Sequence, residues 1–141
     1  MPVEVKQGVT CHAIDPEAAT ELEAQAVALF ERVGLVVDLD EGQMEIATAL
    51  ASCAPAYVAL VAEAPVDAGV RAGLPADVAG ELVAANIGGT AALLQARGTD
   101  TLAVRRMVTS PGGITARGLA ELEHGGVRAA FDDAMQAVVT R

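Results

Sequence analysis

Residues 55–75 read PAYVALVAEAPVDAGVRAGLP, and the fold turns on whether this stretch is a core helix, a membrane span or a turn-rich segment. Its apolar residues fall on nearly every side of a helical projection, which makes it the buried centre of a helical protein rather than an amphipathic surface helix. Pro65 lies inside that helix, removes the hydrogen bond to the Val61 carbonyl and predicts a kink. Gly73-Leu74-Pro75 then stops the helix and starts the next. The longest apolar run, Cys53 to Ala62, is closed by Glu63 and Pro65 and falls short of the roughly 20 residues that cross a bilayer, so no membrane partner is expected.

Outward from this centre, the chain reads as more helix. One helix is expected over about 43–53 and a second from Pro55 to Ala72. A third runs from Pro75 to about Gln95, with Gly88-Gly89 in its middle. Those glycines cost about 1 kcal/mol each relative to Ala, and close helix crossing is the plainer reason to keep them. Shorter helices follow over about 100–108, 115–123 and 126–140. Residues 8–40 differ: GVTCHAI and LVVDLD are β-like, and Asp15-Pro16 caps a helix between them with an apolar face at Ala18, Leu22, Ala26, Leu29 and Val33. This strand, helix, strand outline is too small a sheet to stand alone, and suggests a piece of a larger one.

Length and composition agree with one small helical protein. Of 141 residues, 52% are apolar and only three, Phe30, Tyr57 and Phe131, are aromatic. Helices must therefore pack closely through small side chains, and so apolar a chain has too few polar residues to cover a monomer, which predicts a homodimer. Nine Lys and Arg against nineteen Asp and Glu give a net charge of −10, which repels a phosphate backbone and excludes nucleic acid as an expected partner. The N-terminus shows no secretory pattern, and Cys11 and Cys53 fit no metal or disulfide spacing, which suits the cytoplasm.

One loop stands apart from simple corner turning. Thr109-Ser110-Pro111-Gly112-Gly113-Ile114-Thr115 has two adjacent glycines, a proline at the bend and hydroxyls on both sides, just ahead of a helix. Unpaired N–H groups and the helix dipole there favour an anion; a capped turn with no ligand is the alternative reading. Other chemistry is thinner. Cys53 has no His near it in sequence and reads as a small core residue, while His124 sits where dipole compensation suffices. Asp38, Asp40, Glu41, Asp132 and Asp133 read as solvated faces; Glu45, Glu63 and Asp67 could act as acid or base only if buried. No metal site is expected.

PAYVALVAEAPVDAGVRAGLP (55–75) and RRMVTSPGGITARGLAELEHGGVRAAFDDAM (105–135) together resemble the C-terminal dimerisation domain of pyrroline-5-carboxylate reductase, whose pattern is GPAY…DAGV..GLP followed by VTSPGGTT…L..LE.GG.R. The opening MPVEVKQGVTCHA is similar to the family's MPNTP stretch leading into a GVT strand. The resemblance implies a mainly α, intertwined dimerisation domain over 41–141, preceded over 1–40 by a β-α-β-like remnant of the cofactor domain. It implies that the ligand is a small cyclic imine or other carboxylate, bound by Ser110, Gly112, Gly113, the Ile114 backbone and Thr115, with the Thr115 hydroxyl near the ring nitrogen as the catalytic group. NAD(P)H in the family sits on a glycine-rich turn; no GxGxxG occurs here, so this chain alone is expected to bind no cofactor, and NAD(P)H enters only with a separate Rossmann partner. The family's SGSGPAY reads Ala51 to Tyr57 as ASCAPAY, its MPNTP lacks Asn-Thr-Pro, its first Thr after the glycines is Ile114, and Pro65 intrudes into EALADAG. These departures leave open a diverged enzyme doing cyclisation or isomerisation, or a non-catalytic dimerisation module.

Overall fold

A computed structural model describes residues 2–13, 17 and 20–139. A short 3-10 turn, Pro2–Val5, leads into β1 (Gly8–Ala13), α1 (Thr20–Glu31) and β2 (Gly34–Leu39). Five helices follow: α2 (Met44–Arg71), α3 (Ala76–Ala96), α4 (Thr101–Met107), α5 (Ile114–His124) and α6 (Val127–Val139). The mainly α class with a small N-terminal strand, helix, strand segment is what the chain adopts. The expected cap at Asp15-Pro16, and Ala18, lie outside the described residues.

Contacts divide the chain into two compact units, Met1–Val58 with Met135–Arg141, and Ala59–Ala134. In the first unit β1 and β2 pair in parallel, from Gly8 opposite Gly34 to Ala13 opposite Leu39. The two facing glycines start the ladder because the backbones come together there; a Cβ at Gly34 would run into the main chain of Gly8. His12 Nε2 reaches Glu23 Oε1 of α1 at 3.2 Å, so α1 covers the Thr10, His12, Val36 and Asp38 face of the sheet. The α1 stripe that packs is therefore Glu23 and Val27, whereas Leu22 and Leu29 of the expected apolar face are exposed. On the other side of the sheet Val9 and Leu35 are bare.

The expected break between two helices at Pro55 does not occur, and α2 runs unbroken for 28 residues with Pro55 and Pro65 inside it. Each proline costs one backbone hydrogen bond, and the helix on both sides is long enough to carry the loss. With the break gone, Glu41–Arg71 is long and apolar enough, its 18-residue window having a mean hydropathy of 1.5, to cross a bilayer by length and composition alone. The ten-residue run therefore understated this segment. An apolar helix at the core of a soluble helical domain has the same signature.

Helix α2 is not buried by its own chain. Among the described residues only Ala49, Ala79 and Val104 are buried apolar groups, and Val58, Leu60 and Val61 of α2 stand exposed, as does Leu82 of α3. Gly88 and Gly89 follow the same rule: a Cβ at either would meet nothing within 4 Å, so the close crossing expected for them is not made within the chain.

In the second unit, Ala79 of α3 packs against Gly69 of α2 beside Leu74 at the GLP corner. Asp100 caps α4, its side chain accepting from the Ala103 N–H at 2.8 Å.

Candidate functional site

The TSPGGIT bend joins α4 to α5. Ser110 to Gly113 form a turn with Pro111 second, Gly112 third at φ +69, and the Gly113 N–H closing on the Ser110 carbonyl at 3.0 Å. Proline followed by a positive-φ glycine is the type II signature, which only glycine fills without strain. Gly113 differs: its φ of −68 suits any residue, and a Cβ there would make the Ser110 hydroxyl move.

This geometry corrects one detail of the expected anion site. The Gly113 N–H is spent inside the turn, so it is not offered to a ligand. The Thr109 hydroxyl is also spent, donating to the Arg105 carbonyl at 2.6 Å and capping the end of α4. What remains is still considerable. Among the described residues, the N–H groups of Ser110, Gly112, Ile114, Thr115 and Ala116 have no acceptor, because the last three begin α5 and lack a preceding turn. Thr115 is half-buried at the second position of that helix, while the Ile114 side chain is 79% exposed and takes no part in a pocket of this chain. Ser110 and Gly112 are likewise exposed. The bend as built by one chain is an open ledge of donors.

Charge around the ledge runs against that of the whole protein. Between Asp100 and Glu121 the sequence holds Arg105, Arg106 and Arg117 and no acid, although the chain carries −10. Anions are drawn to such a stretch before any contact forms. Counting charges by segment rather than over the whole chain would have shown this from sequence.

Just beyond that stretch, Glu123 is held by two arginines. Arg128 donates to Glu123 through Nε at 2.8 Å to Oε2 and through Nη2 at 2.8 Å to Oε1, a two-pronged pair. Arg105 Nη1 reaches the same Oε1 at 3.4 Å. The hydrogen bonds from Arg128, with the charge of both guanidiniums, hold the Glu123 carboxyl below the usual carboxylate range.

Remaining sequence candidates fall elsewhere. Cys53 is half-buried on α2 with Ser52 Oγ at 3.9 Å, and partial burial together with the Cys53 thiol raises the Tyr57 phenol one turn on. Asp38 is solvated, as read, and also reaches His12 Nδ1 at 3.2 Å. Glu45, Glu63 and Asp67 are exposed in the single chain, and among the described residues no buried charged group and no metal-binding cluster occurs. His124 ends α5, as its position suggested.

Residues 41–141 match the family described as pyrroline-5-carboxylate reductase dimerisation. The chain is 39% identical to the pyrroline-5-carboxylate reductase of Synechocystis sp., covering 99% of this chain and 52% of that protein. It is 40% identical to the Mycobacterium tuberculosis enzyme over 97% of this chain and 52% of the relative. Among solved structures, a pyrroline-5-carboxylate reductase from Coxiella burnetii superposes with a TM-score of 0.94 at 31% identity, covering all of this chain and 53% of the other. The pyrroline carboxylate reductase of Plasmodium falciparum, solved with NADP bound, gives 0.87 at 30% identity over 98% of this chain and 56% of that one. This chain thus spans about half the length of the relatives it matches.

Proposed function

The chain belongs to the pyrroline-5-carboxylate reductase family through its dimerisation domain, and from that we infer that it provides the substrate-seating half of such an active site as a homodimer in the cytoplasm. The carboxylate of a small cyclic imino acid rests on the free N–H groups of Ser110, Gly112, Ile114 and Thr115. The Thr115 hydroxyl lies by the ring nitrogen, where it can donate to or accept from the nitrogen as its protonation changes. Backbone donors suit this task because they are fixed before the ligand arrives and cost no side-chain ordering. The Arg105, Arg106 and Arg117 stretch supplies the attraction.

In the family the hydride comes from NAD(P)H. The residues present do not fit that cofactor: the sequence has no glycine-rich strand-to-helix fingerprint, so the nucleotide is assigned to a Rossmann domain outside these residues. The chain's own part is to bind and orient the acceptor.

The observation that carries this reading is the row of unpartnered amides at the start of α5, set in a segment free of acids. Titration with L-proline, followed by amide chemical shifts, tests it. Shifts at Gly112, Ile114 and Thr115 that saturate in the millimolar range are expected, with Gly113 responding less because its N–H is already bonded. If these amides stay still at tens of millimolar ligand while the protein is a dimer, only dimer formation survives of the proposal.

A further inference from the structure

Loops that bind small anions must be held from both sides, and here the hold on one side is visible. The Arg105 main chain fixes the entrance of the bend: its carbonyl accepts the Thr109 hydroxyl at 2.6 Å and the Val108 N–H at 3.3 Å. Its side chain leaves in the other direction and meets Glu123 in the last turn of α5. The bend, α5, Glu123 and Arg105 therefore close a ring in which the ledge of free amides is one side and the ion pair is the clasp. Arg128 grips both carboxylate oxygens of Glu123 and so orients the oxygen that Arg105 uses.

We propose that Glu123 is a positioning residue for the Thr109–Thr115 bend, acting through Arg105 to hold the end of α4 against α5 so that the free amides keep one arrangement. The proposal rests on the reading of that bend as the carboxylate seat. Exposed ion pairs are usually weak, because solvent screens them and two long side chains must be ordered. Glu123 differs in that two arginines from different helices share one carboxylate, the pairing with Arg128 being two-pronged. Its effect is expected in the precision of the loop rather than in global stability.

The test compares the unsubstituted chain with Glu123→Gln, Arg105→Met and the double variant. Two readouts are taken: amide relaxation of Gly112, Ile114 and Thr115 without ligand, and L-proline affinity. Glu123→Gln should increase the mobility of these amides and weaken L-proline about three- to fivefold, with the dimer intact and the melting temperature within about 2 °C. Arg105→Met should raise the same mobility, with a larger loss of L-proline because it also removes a charge that attracts the anion, and the double variant should move the amides no more than either single one, since both cut the same clasp. Unchanged loop relaxation in both single variants, or mobility that adds in the double variant, overturns the proposal. Failure of the unsubstituted protein to bind L-proline refutes the carboxylate seat instead, and the relaxation measurements still decide whether Glu123 holds the bend.

Discussion

Leu60 lies on α2, 65% exposed in the single chain, and its truncation to alanine separates two pictures of the protein sharply. If that exposure persists in solution, Leu60→Ala changes a surface residue and moves stability by no more than about 0.5 kcal/mol. If a second copy covers α2, the same change opens a cavity and costs about 2–4 kcal/mol per chain, incurred twice in the pair. Leu60, Val61 and Val70 of α2 are all exposed in the single chain, an apolar row of the kind an obligate, core-like interface covers. Unfolding should then be coupled to dissociation. Two chains of 141 residues have an unfolding enthalpy of about 200 kcal/mol near 60 °C, so tenfold dilution lowers the midpoint by about 2–3 °C. Leu60→Ala should lower it by about 7–13 °C at fixed concentration. Calorimetry over a hundredfold concentration range, with mass measurement by sedimentation, reads both. A midpoint independent of concentration together with a neutral Leu60→Ala would refute the reasoning.

Two further outcomes follow from the bend and its clasp. Gly112→Ala, at φ +69, should cost about 1–2 kcal/mol in denaturant unfolding and weaken L-proline, whereas Gly118→Ala, in the open middle of α5, should stabilise by about 0.5–1 kcal/mol; equal effects would show that the turn is not as described. Glu123 has a folded pKa below its ordinary 4.5, so its contribution is present above that value and is lost as pH falls through the lower, folded value. The difference in amide mobility of the bend between the unsubstituted protein and Glu123→Gln should therefore shrink as pH falls below 4.5, and a difference that widens on acidification would contradict the pairing with Arg128.

The sequence by itself determined the helical class, the strand, helix, strand opening and the order of helices, because these depend on local periodicity and on where Gly and Pro fall. GLP at 73–75 and TSPGG at 109–113 punctuate the chain where helices end. Pro55 shows the limit of that logic: its local cost predicts a boundary, yet the helix continues through it, since a long apolar helix can carry one lost hydrogen bond. Likewise the apolar spacing of α1 indicated a face at Leu22 and Leu29, while the tertiary structure turned Glu23 and Val27 inward, because Glu23 finds His12 across the sheet. At the bend, composition was enough to mark a glycine-rich loop with free backbone N–H groups ahead of a helix. Only the folded chain decided that the Gly113 N–H is consumed, that the Thr109 hydroxyl faces α4, and that Glu123 and Arg105, eighteen positions apart, come within reach of each other. Pairings of that kind depend on how separate helices meet, which no local pattern of residues encodes.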